Sequence, residues 1–183
     1  YMNASGFDPS LFHDDDGRKW FVNMVWDHRA TMDHRAPPHD FFGGILMQEY
    51  DHAQGALIGP VYKIFDRSPH GLTEAPHLMK RRGYYYLITA EGGTGYDHAV
   101  THARSRDVTG PYELHPLTHV LTAKDAPTSP LQRVGHGQPC DGPEEGTMMH
   151  TFLCSRPLPN HRSPMGRESG MEVVEGGKDD WLY

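Results

Sequence analysis

The chain carries near its start the run Asp8-Pro9-Ser10-Leu11-Phe12-His13, followed by a turn at Gly17 and an aromatic strand. The pattern returns as Glu74-Ala75-Pro76-His77-Leu78-Met79, with a turn at Gly83 and a second aromatic strand. In each copy the acid precedes the turn glycine by nine residues. Repeated hairpins are typical of a β-propeller, whose blades bring side chains to a central axis. We therefore expect Asp8 and Glu74 at equivalent points of adjacent blades, and two gathered carboxylates suggest glycoside hydrolysis.

A weaker third copy has its head at Gly137 and its turn at Gly146, and it lacks the acid. The repeat period is 66 and then 63 residues, which exceeds the ~40–50 residues of named propeller blades and indicates long loops. Three such units form an open arc, because propellers need ~4–8 blades to close. The sequence therefore predicts an all-β chain with about three to four blades of a larger propeller, and residues 1–183 as a part of that domain.

Strands are predicted where short runs rich in β-branched and aromatic residues are bounded by Gly, Pro and Asp: 18–26, 42–50, 84–89, 98–106 and 148–154. Asp16-Gly17 and Arg82-Gly83 have the residue types of tight hairpin turns. The strand after Gly137 is expected to be interrupted at Pro139 and again at residues 141–143. No window of helical length shows a 3.6-residue period. The long polar segment 27–40 is predicted to be a surface loop that shapes a binding mouth.

Composition excludes several classes of protein. The 183 residues include 17 Lys and Arg against 24 Asp and Glu, a net charge of −7 with no basic stripe, so the chain is a poor candidate for binding nucleic acid. No apolar run approaches the ~18 residues of a membrane span. Cys140 and Cys154 are too few for a disulfide scaffold; two free thiols are the simplest interpretation, and a bridge between them stays open. His98 and His102 lie on a predicted strand, where they do not form the compact ligand pair of a helix, so we expect no protein-ligated metal.

Seven runs, in their order and spacing, point to one family: D-P-S-L-F at 8–12, W-F-V-N-M-V-W-D-H-R at 20–29, L-T-E-A-P-H-L at 72–78, T-A-E-G-G-T-G-Y at 89–96, A-R-S-R at 103–106, G-H-G at 135–137 and R-P-L-P at 156–159. They resemble the β-xylosidases of glycoside hydrolase family 43. The resemblance implies a five-bladed β-propeller and an inverting mechanism. That mechanism uses an Asp general base, a second Asp that tunes pKa and orientation, and a Glu general acid.

Carried onto this chain, the resemblance makes Glu74 the general acid and Asp8 the orienting carboxylate. Among the substrate-binding residues it implies, Arg167 contacts sugar hydroxyls and Trp26 forms an aromatic wall; without the resemblance, Trp26 is equally a core residue and Arg167 a surface residue. The base belongs to the family's first blade, and no residue of this sequence corresponds to it.

The resemblance also counts His136 among the substrate-binding residues and places it near the propeller axis, where the matching histidine approaches a bound ion or water cluster. It implies no required cofactor, and a structural calcium near the axis is implied by the resemblance alone. Relatives usually continue this motif as His-x-Asp, whereas this chain has Gln138 in place of the acid.

A general acid must be protonated near neutral pH, so Glu74 should have a raised pKa caused by partial burial and by the negative charge of Asp8. The expected substrates are β-1,4-xylo-oligosaccharides. An α-L-arabinofuranosidase acting on arabinose-containing oligosaccharides is the alternative within the family. Two other classes stay open: a non-catalytic carbohydrate-binding propeller or inactive remnant, and a propeller for protein interaction.

Overall fold

The computed structural model describes residues 3–26, 42–144, 147–159 and 162–183. These ranges contain twelve β-strands and no helix, which confirms the all-β prediction. In the same ranges there is accordingly no helix long and apolar enough to cross a membrane. The predicted binding loop at 27–40 lies outside the described residues.

The strands form three sheets whose neighbouring strands are antiparallel. The first sheet contains, in order, β1 (Phe7–His13), β2 (Lys19–Trp26), β3 (Phe42–Asp51) and β4 (Ala56–Phe65). The second contains β5 (Glu74–Arg81), β6 (Tyr84–Glu91), β7 (Ala99–Ser105), β8 (Glu113–Leu114) and β9 (Leu121–Thr122), of which β8 and β9 both pair with β7. The third contains β10 (Gln132–Asp141), β11 (Met148–Ser155) and β12 (Glu168–Val174).

The predicted hairpin turns are confirmed. Arg82 and Gly83 are the only two residues between β5 and β6, and their φ angles of +49° and +73° are those of a type I′ turn. The first hairpin has a longer turn, residues 14–18, in which Gly17 alone takes a positive φ, of +88°. Glycine suits both turns because it has no Cβ to clash at positive φ.

The predicted interruption at Pro139 is wrong. β10 runs through Pro139, which lies opposite His150, and ends only at Asp141. β10 is an edge strand of the third sheet, and an edge tolerates proline because the missing N–H faces away from the neighbouring strand. The five predicted strands are found as β2, β3, β6, β7 and β11, whereas β4, β8, β9 and β12 are additional.

The first strand of each sheet is bulged at one matching place. A register shift with the next strand occurs in the intervals Phe7/Ser10, Glu74/His77 and Gly135/Gln138. In each interval the residue that follows the first one named takes a left-handed φ. The angles are +52° at Asp8, +46° at Ala75 and +49° at His136. Bulges of this kind re-aim side chains and occur often beside active sites.

The predicted equivalence of Asp8 and Glu74 is therefore wrong by one residue. In the bulged register Asp8 corresponds to Ala75, whereas Glu74 corresponds to Phe7, and the third copy has His136 rather than Gly137 at this position. The equal spacing to the two turn glycines conceals the offset because the first turn is longer than the second. The two acids consequently occupy different backbone positions in adjacent sheets.

Each sheet packs on the next. β1 lies against β5, and β10 lies against β6 and β7. A buried cluster joins the first two sheets, with Trp20, Met24 and Ile45 facing Leu78 and Leu87. A second cluster joins β6 and β7 to Met148 of the third sheet and to the C-terminal residues Trp181 and Leu182. The two cysteines are free thiols.

A polar contact reinforces the first of these junctions. Asp14, in the turn after β1, is only 7% exposed. Its carboxylate accepts hydrogen bonds from Lys80 Nζ at 2.9 Å and from the Tyr85 hydroxyl at 2.8 Å, both in the second sheet. Asp14 therefore links the far ends of two adjacent hairpins.

Candidate active site

Asp8 reaches from the first sheet to the second. Its Oδ2 accepts a hydrogen bond from the backbone N–H of Ala75, the residue after Glu74, at 3.1 Å. Close by, the Ser10 hydroxyl donates to the carbonyl oxygen of Pro76 at 2.6 Å. These two contacts join the bulge of β1 to the bulge of β5, so that the Asp8 carboxylate is held beside the start of the strand that carries Glu74.

Glu74, the first residue of β5, is partly buried. Burial raises the pKa of its carboxyl group, and the negative charge of Asp8 raises this pKa further. The direction and both causes agree with the expectation from sequence. A carboxyl group of raised pKa beside an acceptor carboxylate is chemically suited to donate a proton, because it stays protonated at a pH where an ordinary glutamate is ionised.

Histidines surround the same end of the sheets. Burial lowers the pKa of His77, the charge of His136 adds to this effect, and Asp8 opposes it. Burial also lowers the pKa of His98, with further contributions from the charges of His136 and Arg167. These mutual effects place the predicted residues Asp8, His136 and Arg167 in one electrostatic neighbourhood, to which the structure adds His77 and His98.

The glycines on either side of His136 make room for imidazole rings. A Cβ at Gly135 would overlap the ring of His98, and a Cβ at Gly137 would overlap the ring of His150. The G-H-G run is thus a packing requirement at the junction of the second and third sheets. It allows β10 to approach the second sheet closely, while His136 on the same strand takes a left-handed φ and is partly buried.

Trp26 lies at the same end of the first sheet as Asp8, because β2 runs antiparallel to β1. Its ring stacks on Phe7 with centroids 6.0 Å apart and an interplanar angle of 14°. The ring is partly buried and also packs against the core cluster of the first two sheets. The contacts of Trp26 are thus partly those of a core residue.

Arg167 is exposed and directly precedes β12.

Glu91 is a residue of this region that the sequence prediction does not include. It is 1% exposed at the end of β6, next to Ala90, which faces Glu74 across the hairpin. Burial raises the pKa of Glu91 to about 7 against the effect of three hydroxyl hydrogen bonds, and the charge of Glu74 contributes to the rise. The sequence carries one signal for Glu91: it is the only charged residue of the strand Tyr84–Glu91.

The described residues do not suit a metal ion. Among them, no group of three or more His, Cys, Asp or Glu side chains could hold one. Calcium prefers oxygen ligands, whereas the side chains coupled electrostatically to His136 include the imidazoles of His77 and His98. His102, the other histidine of the predicted strand, instead lies with its Nε2 3.3 Å from Nε2 of buried His150.

Blade-like sheets that hold two carboxylates in unequal environments at one end are typical of a propeller-type glycoside hydrolase. Residues 1–182 match the family model for glycosyl hydrolases family 43, and the chain belongs to that family. Enzymes of this family typically need no cofactor.

Relatives of known activity cover the chain throughout. It is 54% identical over 184 residues to xylosidase/arabinosidase 43B of Humicola insolens, and 43% identical over 190 residues to a xylan 1,3-beta-xylosidase of a Vibrio species. These alignments include 100% and 97% of this chain, but 33% and 34% of the relatives. The chain therefore spans about a third of the length of the curated relatives it matches.

Solved structures agree with the fold. The crystal structure of a xylan beta-1,4-xylosidase from Bacillus halodurans C-125 matches with a TM-score of 0.89 and 47% sequence identity. The match covers 100% of this chain and 33% of that one. The three sheets thus correspond to a part of the five-bladed propeller of this family, which confirms the predicted fold class.

Proposed function

We propose that residues 1–183 form part of the catalytic propeller of a glycosidase that hydrolyses β-1,4-xylo-oligosaccharides with inversion. Glu74 is the general acid, and Asp8 tunes its pKa and orients it. The observation that carries this proposal is the hydrogen bond from the Ala75 N–H to Asp8, which holds a negative charge beside a partly buried glutamate of raised pKa. The activity is proposed for these residues as part of a protein as long as the relatives that they match.

In this reaction the carboxyl proton of Glu74 passes to the glycosidic oxygen as the bond from that oxygen to the anomeric carbon breaks. A water molecule adds to the opposite face of the sugar and loses its proton to a general base, which we assign to no residue of this chain. Asp8 keeps Glu74 protonated before transfer, since two adjacent carboxylates resist simultaneous ionisation. Trp26, Arg167 and His136 are proposed to contact the sugar. No step uses a metal ion.

An α-L-arabinofuranosidase is the second candidate. The Humicola insolens relative is named for both xylosidase and arabinosidase activity, and the Vibrio relative is named for a 1,3 rather than a 1,4 linkage. The acid and its orienting carboxylate serve either pentose, because they act on the glycosidic oxygen. The choice of sugar and linkage is set by the residues that contact the ring hydroxyls.

The test compares this chain with a chimera in which residues 1–183 replace the matching segment of the Humicola insolens relative. Each is assayed on xylobiose, on an aryl β-xyloside with a good leaving group and on an aryl α-L-arabinofuranoside. Glu74→Gln should lower xylobiose turnover by ~10²–10⁴-fold, the usual contribution of a general acid, and should slow the aryl β-xyloside much less. Glu175→Gln, at an exposed glutamate near the C-terminus, is the matched control.

The anomer of xylose that first appears, followed by proton NMR, reports the stereochemistry; inversion releases the α-anomer from a β-xyloside. Xylobiose turnover that Glu74→Gln leaves intact would reject Glu74 as the acid. A chimera that binds xylobiose without turnover would support the non-catalytic carbohydrate-binding class. Hydrolysis of the arabinofuranoside alone would favour the second candidate.

A further inference from the structure

The carboxylate of Glu91 collects three hydroxyl groups inside the second sheet. Its Oε2 accepts hydrogen bonds from Ser68 Oγ at 2.7 Å and from Thr73 Oγ1 at 3.0 Å, and its Oε1 accepts one from Thr89 Oγ1 at 3.0 Å. All three donors are at most 2% exposed. Three converging hydroxyl groups fix the position of this carboxyl group, because both of its oxygens are engaged.

Two of these donors belong to the segment that leads into Glu74. Ser68 and Thr73 lie between β4 and β5, and Thr73 immediately precedes Glu74. The backbone N–H of Gly92, next to Glu91, donates to the carbonyl oxygen of Gly71 in the same segment at 2.8 Å. Residues 68–73, which we call the lead-in segment, are thus tied to the end of β6 by side chain and by backbone.

Fold stability alone does not account for an ionisable group at this place. A buried carboxylate carries a large desolvation penalty, and an apolar residue of similar volume is often as stable or more so. The charge of Glu74 contributes to the raised pKa of Glu91. The cluster therefore holds an ionisable group beside the general acid rather than an apolar side chain.

We propose that Glu91 is a positioning residue that holds the general acid Glu74 in place by anchoring the lead-in segment through Thr73 and Ser68. This inference rests on the proposed function of Glu74. It assigns the buried polar cluster a role in proton transfer rather than in binding, because the anchor acts on the backbone at the start of β5.

Thr73→Val and Thr89→Val form a matched pair of isosteric variants for the test. Each removes one hydroxyl from Glu91, but only Thr73 belongs to the lead-in segment. In the chimera, Thr73→Val should lower turnover of xylobiose ~10-fold or more relative to turnover of the activated aryl β-xyloside, since a misplaced acid matters most for a poor leaving group. Thr89→Val should keep the substrate ratio of the unmodified chimera. Loss of folded enzyme would lower both rates equally.

Amide hydrogen exchange in the 183-residue chain provides a readout without turnover. The Ala75 N–H, bonded to Asp8, should exchange ~10-fold faster in Thr73→Val than in Thr89→Val, because its strand start is no longer anchored. Equal exchange at Ala75, or equal substrate ratios, in the two variants would overturn the inference. If Glu74→Gln leaves xylobiose turnover intact, the proposed function fails, and the role of Glu91 fails with it. If Glu74→Gln lowers turnover but Thr73→Val and Thr89→Val behave alike, only the role of Glu91 is rejected.

Discussion

Replacing Asp14 by Asn should weaken the junction between the first two sheets. The Asp14 side chain lies in the turn after β1 and is 1% exposed. Its charge faces Lys80 on β5 and the Tyr85 hydroxyl on β6. Asparagine keeps the shape and one acceptor oxygen, but it removes the charge and presents an N–H₂ group to one of two donors.

The expected loss is about 2 kcal/mol in the free energy of unfolding. A hydrogen bond to a charged group contributes ~1.5–3 kcal/mol, and asparagine can satisfy only one of the two donors. The loss stays well below the ~3–5 kcal/mol of a fully buried broken pair, because the Lys80 side chain is 29% exposed and still has Asp15 at 3.1 Å. Asp15→Asn is the matched control; Asp15 is 81% exposed, so its removal should change stability by ~0–1 kcal/mol.

Urea unfolding of both variants, repeated at several pH values, checks this expectation. Burial by itself would raise the pKa of Asp14, but hydrogen bonds from Lys80 and Tyr85 outweigh it and hold the pKa below the ordinary value of 3.8. The stabilisation by ionised Asp14 is therefore complete above that value and is lost as the pH falls through the lowered pKa. The gap between wild type and Asp14→Asn should be constant near neutral pH and should close in strong acid. Equal losses in the two variants, or a gap that persists in acid, would refute the reasoning.

Two further changes test the site and its packing. Proton donation by Glu74 is lost as the pH rises through the pKa of this residue. Asp8→Asn removes the second cause of the raised pKa, so it should move the alkaline limb of the kcat profile of the chimera to lower pH. An unmoved limb would show that burial alone raises the pKa of Glu74. Gly135→Ala places a methyl group on the ring of His98 and should cost ~1–3 kcal/mol in urea unfolding. Gly176→Ala, where the nearest atom is 3.8 Å away, should be nearly neutral and serves as control.

The fold could be predicted from the sequence because its signals are local. The type I′ turn needs only Arg82-Gly83 before the aromatic strand β6, and the repeat is visible from the chain order alone. The offset between Asp8 and Glu74 is not predictable from their spacing to the turn glycines, because the first turn (residues 14–18) is longer than the second (residues 82–83). The two short strands that pair with β7 likewise depend on a neighbour rather than on their own residues.

The candidate site was predictable in part for the same reason. The raised pKa of Glu74 follows from burial and from the charge of Asp8, 66 residues away, and the family resemblance indicates that neighbour. The role of Glu91 is not predictable from the sequence, because its contacts with Ser68 and Thr73 form only in the folded chain. Hydroxyl residues in a loop carry no sequence signal of such a partner.

The left-handed bulge residue at the start of β1, β5 and β10 has a consequence for how this chain could diversify. Asp8, Ala75 and His136 occupy the matching backbone position in the first strands of three sheets. The side chain at that position is a carboxylate in β1, a methyl group in β5 and an imidazole in β10, whereas all three strands have the same bulge. Mutation can therefore exchange the chemistry of one unit while the other two preserve theirs. Duplication followed by such independent drift would yield an asymmetric catalytic centre from a nearly symmetric scaffold.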